Sequence, residues 1–327
     1  MWLLSFQNAI INEKNGNLET VRNDFAKALS LLNNINTDNP GILGVEYTLQ
    51  VYYDRIGFLH LGNLNYKEAL VNFNWSLHYI KKISQRSKLD LSLRVDEATS
   101  YMHIGEVYLV HAMYENSKIE KTKLLYSAIK FIEKSLKILD MAYLLDRDLS
   151  GIDVNLFFSN LKIGHSYIDL YDYEKTESNL TIAIRHYREA MKYVDNINGN
   201  SLSKILLWNA MGEHSLKKAR SIIKKEPNNK DINIIFNDAI DYFRKSLDKN
   251  IELLKHDPNN MDWVMSLSRC YYNMSRIERF SNNITSEKTL IDQSLAEIEK
   301  VKKHSPLTAI DQHFETMVKE RRQKISE

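Results

Sequence analysis

Apolar residues along this chain recur at offsets of three, four and seven, the period of one face of a helix. The same constellation then returns several times. Tyr53, Ile56 and Gly57 are followed by Ala69, Leu70, Phe73 and Ser76; Tyr101, Ile104 and Gly105 are followed by Ala128, Ile129, Ile132 and Ser135. A third copy runs from Ile163-Gly164 to Ala183, Tyr187 and Ala190, and a fourth from Trp208 and Gly212 to Ala239, Phe243 and Ser246. Weaker copies stand in front, at Ala9 and Val21, Phe25, Ala28 and Leu29, and behind, at Ser268, Ile291 and Leu295. The small residue recurs after 48 positions from Ala9 to Gly57, from Gly57 to Gly105 and from Gly164 to Gly212, and after 59 and 56 elsewhere. A fixed period of this kind marks a repeat architecture.

Each copy reads as two helices joined by a turn. The glycine position is expected where the two helices cross, because a small side chain lets the backbones approach. Ala69 and Ser76 serve the same end from the second helix, and Phe73 is expected to fill the space between neighbouring units. Turn residues punctuate the joins at Asn33 to Pro40, Asn196 to Asn200 and Asp257 to Asn260. The intervals of 59 and 56 predict inserted loops at about 112–124 and 219–235.

The alternation of small and large positions resembles the tetratricopeptide repeat. Trp208 and Gly212 resemble its first-helix signature, and Ala239 and Phe243 its second. The period near 48 looks like that of long-period bacterial arrays, which are often attached to signalling or defence modules. The resemblance implies an all-α, right-handed α-solenoid of about six helical hairpins. The array would occupy residues 1–304, in units near 1–35, 42–82, 92–140, 152–195, 202–256 and 260–304. Residues 305–327 would form a capping helix through Ile310, Phe314 and Val318, with its basic end from Lys319 to Lys324 solvated and favourable to the helix dipole.

Composition narrows the function classes. Lysine and arginine number 44 against 42 acids, and the 327 residues include four prolines and one cysteine, Cys270. A single cysteine forms no internal disulfide and supplies no structural zinc site, which fits a reducing, cytoplasmic setting. No window has the length and apolarity of a membrane helix. No phosphate loop, dinucleotide fingerprint, nucleophile elbow or zinc-protease motif is present, so no catalytic, cofactor or metal residue is assigned. His103, Glu106 and His111 share a helix but lack a further ligand, as does the pair Glu213-His214; Cys270 reads as a small buried side chain. Tyrosines such as Tyr53, Tyr101, Tyr108, Tyr167, Tyr187 and Tyr271 fall on packing positions, and the near-neutral charge disfavours nucleic acid.

What remains is a surface for a protein or peptide. The resemblance implies that the first helix of each unit lines a concave face. That face would carry Asp54, Phe58 and Leu61, then Met102, Glu106 and Leu109, then Leu161, His165, Ile168 and Asp169. Asn209, Glu213 and Leu216 follow, and Asp262, Met265, Arg269 and Tyr272 complete it. An apolar stripe with acids at intervals implies a partner segment that combines apolar and basic residues; the alternative, equally open, is that several apolar members pack within the array or under the chain's own inserted segments. The leading expectation is a noncatalytic interaction scaffold or sensing module. A peptide-gated regulator similar to pheromone receptors is the alternative, and an enzyme ranks last.

Overall fold

A computed structural model describes residues 18–197 and 199–326. The first-helix copy around Ala9 and the side chains of Val21 and Phe25 lie outside the described residues. The chain divides at Ser159/Asn160 into two compact units. The first holds α1 (Leu18–Asp38), α2 (Leu43–Gly62), α3 (Tyr66–Arg86), α4 (Leu91–Tyr114) and α5 (Lys118–Leu145). The division falls within α6 (Ile152–Glu174). The second unit continues with α7 (Glu177–Val194), α8 (Ser201–Lys225), α9 (Asp231–His256), α10 (Met261–Phe280), α11 (Ile284–His304) and α12 (Ala309–Ser326). Among the described residues every regular element is a helix.

The local chemistry explains where helices start and stop. Side chains of Asp90, Ser117, Asn260 and Asn283 accept backbone N–H groups in the first turns of α4, α5, α10 and α11. Leu64 and Asn282 take left-handed conformations at φ 59° and 56°. The next N–H in each case, from Asn65 or Asn283, donates to a carbonyl five residues back, at 2.9 Å. That bond closes α2 and α10 and turns the chain sharply into α3 and α11.

Two expectations about joins need correction. Asn33 to Asp38 is not a turn but the last part of α1, with Thr37 Oγ1 donating to the carbonyl of Asn33 at 2.8 Å. The inserted loops at 112–124 and 219–235 are also mostly helix. α4 and α5 span 24 and 28 residues where α2 and α3 span 20 and 21, which takes up the eleven extra positions. Only 115–117 and 226–230 remain between helices.

Hairpin packing rests on the glycines. A Cβ on Gly57 would lie 2.7 Å from Phe73 Cε1, and one on Gly212 would lie 2.6 Å from Phe243 Cε1. Gly164 sits against Tyr187 and Gly105 against Ile132 in the same manner. Ala69, Ala128, Ala183 and Ala239 are all fully buried beside these crossings. Phe73 therefore fills the crossing of its own hairpin, where a place between units was expected. It also reaches the next one, with its ring centroid 5.4 Å from that of His103. Trp208, at the corresponding first-helix position, is half-buried.

A second device recurs at three of the junctions between a second helix and the following first helix. Ser76 Oγ lies 3.4 Å from Ser100 Oγ, Ser135 Oγ 3.3 Å from Ser159 Oγ, and Ser246 Oγ 3.1 Å from Cys270 Sγ, each pair 24 residues apart. All six side chains are buried. Small hydroxyl or thiol groups let a second helix approach the following first helix closely while meeting each other's hydrogen-bonding needs. The last hairpin is covered by α12, whose Phe314 and Val318 join Val264, Met265, Ile291 and Ile298 in one core cluster.

Candidate functional site

The first helices α2 and α4 meet in the first unit, and α8 and α10 meet in the second. Their apolar candidate positions are mostly consumed by that packing. Leu61, Met102, Leu109, Leu161, Ile168, Leu216 and Met265 are all buried. They form core, the alternative that the sequence left open, and not an exposed apolar stripe. Phe58 is the exception at 38% exposure, with its ring edge on His103 at a centroid distance of 4.6 Å.

The polar candidates are half-buried and held in place. In the first unit His103 Nδ1 lies 2.8 Å from Asp54 Oδ1, and Glu106 is half-buried on the same helix one turn further on. His111 instead stacks on Tyr66. In the second unit His165 lies edge-on to Tyr187, and Asp169 is half-buried. Asn209 accepts from Asn273 Nδ2 at 3.1 Å. Glu213 receives Arg276 at 3.3 Å and Lys217 at 3.4 Å.

The last group of candidates faces the cap. Arg269 donates to Asp311 Oδ1 at 2.8 Å and lies over the Phe314 ring, and Tyr272 meets that ring edge-on. Only Asp262 in this group is exposed. The basic end of α12 is likewise not simply solvated. Arg321 binds both oxygens of the buried Glu287, at 2.7 and 2.9 Å, and Arg322 binds Asp292. These bidentate pairs fasten α12 onto α11.

Residues that the sequence reading passed over join Glu213 in lining a concave site in the second unit. α6, α8 and α10 line a half-open cavity of about 480 Å³. Tyr171, Asp172 and Lys175 come from α6 and its end, and Arg276 from α10. α8 contributes Glu213 and Ser221 with a basic row of Lys217, Arg220, Lys224 and Lys225. Lys217, Arg220 and Lys224 are spaced i, i+3 and i+7, so they share one helix face. That spacing was the readable signal, hidden within an ordinary basic helix end.

Charge pairing inside the cavity is uneven. Lys217 is 10% exposed and donates to Asp172 at 2.5 Å. Burial acts to raise the Glu213 carboxyl, but Arg276 and Lys217 outweigh it and hold the group down at about 2. Burial pushes His165 down to about 4, so its imidazole is neutral at physiological pH. Among the described residues the Arg220 guanidinium is in no ion pair; burial and the charges of Arg276 and Arg279 disfavour its cationic form and outweigh the opposing pull of Glu213 and Asp172. Cys270 is fully buried, with burial pushing the thiol up although Ser246 and Asn250 hydrogen-bond it at 3.1 Å.

Comparison with known proteins places the fold. No family model and no curated protein matches the chain. The crystal structure of BtubC (BKLC) from P. vanneervenii is similar over 89% of this chain and 94% of its own, at TM-score 0.52 and 12% identity. The fold is a helical-repeat solenoid resembling the tetratricopeptide repeat. At that identity the likeness concerns the fold alone. The S. pombe nuclear import adaptor Nro1 is similar over 97% of each chain at 14% identity, with TM-score 0.40. A tetratricopeptide repeat protein from Parabacteroides merdae ATCC 43184 covers 97% of this chain and 98% of its own at 11% identity and TM-score 0.33. Both superpose too loosely to carry an argument. Among the described residues no helix is long and apolar enough to cross a membrane, and no group of three or more His, Cys, Asp or Glu is placed to hold a metal ion.

Proposed function

We propose that this protein is a noncatalytic interaction scaffold that holds a segment of a partner protein against its first helices. The observation supporting this reading is the way adjacent first helices hold polar side chains at a half-buried surface, as in Asp54–His103 and Glu213–Arg276. Such side chains have already lost much of their rotamer freedom, so a partner meets a preorganised surface at lower entropic cost. In the first unit the accessible members are Asp54, Glu106 and Phe58. A basic segment with one apolar anchor fits them. The broader apolar stripe plays no part, because its residues are in the core.

The test places a photo-crosslinking amino acid at Phe58 or at Glu106 in cells that make the protein, with Leu144 on α5, 79% exposed, as the control. A discrete protein adduct at the first-helix positions and not at Leu144 is expected. Adducts at Leu144 alone, or none at any position, would overturn the scaffold reading.

A further inference from the structure

We infer that the cavity between α6, α8 and α10 binds a small phosphorylated anion. The argument begins with its charge. Asp172 and Glu213 are the only acids among the lining residues, and both are engaged by Lys217 and Arg276. Lys225 is drawn outward to Glu177 at 2.7 Å, and Lys175 stays 3.8 Å from Asp172. Among the described residues Arg220 and Lys224 form no ion pair, and Arg220 lies over the Phe280 ring at 6.0 Å. Arg220 is also half-buried beside two further arginines. Like charges at helix-neighbour spacings destabilise a helix, so the Arg220–Lys224 pair, spaced i, i+4 on α8, gains from a bound anion.

The shape and the donor types favour phosphoryl chemistry. A cavity of about 480 Å³ falls in the size range of small-molecule sites and is too confined for a folded partner. A planar guanidinium fork beside ammonium groups suits a multiply charged tetrahedral oxyanion. The Tyr171 ring supplies a wall for an organic ester, while the Ser221 hydroxyl already donates to Glu177 at 3.2 Å and so leaves the anion to the basic groups. This inference stands apart from the scaffold reading, because it concerns a ligand of the isolated chain and is tested without any partner.

The experiment is calorimetric and thermal-shift titration of the whole chain with three probes: inorganic pyrophosphate, magnesium-free ADP and an oligoglutamate peptide. Pyrophosphate and ADP are expected to bind and raise the melting temperature. Tighter binding of ADP would identify an organic ester as the ligand source, and equal binding the phosphoryl group alone. Arg220→Gln should weaken binding by roughly tenfold or more, the loss of one charge-assisted contact, while the unliganded variant melts no lower than the parent. Lys224→Gln, at the exposed mouth, should weaken it less, and Lys192→Gln on α7 should leave it unchanged. Three results would each overturn the inference: no binding of either phosphorylated probe at millimolar concentration and low salt, binding indifferent to Arg220→Gln, or tighter binding of oligoglutamate.

Discussion

Replacing Gly57 by alanine isolates the interaction that sets the hairpin crossing. The new Cβ would stand 2.7 Å from Phe73 Cε1 and 2.8 and 2.9 Å from two further ring atoms, so the ring must retreat by about 0.7 Å to reach ordinary contact at 3.4 Å. It has little room to do so. Phe73 is 0% exposed, with Phe58 at a centroid distance of 5.1 Å and His103 at 5.4 Å. Overpacking of a filled core costs roughly 1–3 kcal/mol, against a gain of about 1 kcal/mol from replacing glycine inside a helix. The net expectation is a loss of about 1 kcal/mol. Gly44 lies in the same helix with nothing within 4 Å of the added atom, so Gly44→Ala should gain a few tenths of a kcal/mol. Urea unfolding followed by circular dichroism reads both, and the two midpoints should move in opposite directions. Adding Phe73→Leu to Gly57→Ala should cost less than the sum of the single changes, because the smaller side chain vacates the contested space. If Gly57→Ala stabilises like Gly44→Ala, the steric account of the repeat signature is wrong.

Three further outcomes follow from the second unit. Arg321→Ala removes two bonds from a buried carboxylate and should cost about 2 kcal/mol, read as faster hydrogen exchange in α12; unchanged exchange there would show that apolar packing alone holds the cap. Burial depresses His165, His186 and His214 to about 4 from 6.5, so the unfolded chain binds protons more readily and stability should be level above pH 6.5 and fall from there towards pH 4. Glu213, held at about 2 from 4.5, adds a further loss below pH 4.5; an unchanged acid profile after all three histidines are made glutamine would refute the histidine share. Cys270, buried with a raised thiol, should react with a thiol reagent only as fast as the chain opens, so prompt labelling of the folded protein would contradict its placement.

The fold was legible because its rules act within a few turns of helix. Gly57 and Phe73 are sixteen residues apart, and the constraint that joins them is steric, so the residue types themselves record it. The serine pairs were recorded too, at a constant spacing of 24, but only half of each pair belongs to the repeated signature. The extra residues between Gly105 and Gly164 were misplaced for a physical reason. Length alone does not say whether a longer unit adds loop or extends helices, and Lys118–Leu145 has no glycine or proline to interrupt it.

Reading the surface failed where side-chain direction and pairing decide. A hydrophobic residue on a first helix can turn to a partner or to the next helix, and Met102 and Leu161 turn inward because tandem packing gives each first helix neighbours on more than one side. The acids were legible as residues but not as charges. Glu213 is acidic in sequence, yet Arg276, 63 positions away, and Lys217 neutralise it, and what they leave over is cationic. A repeat array therefore conserves its hairpin geometry in local spacing, while the sign of its accessible surface arises from ion pairs between helices far apart in sequence. In the second unit that sign is the reverse of what the first-helix positions spell out. The residue carrying the difference is Arg220, eight positions beyond Gly212 and, among the described residues, in no ion pair.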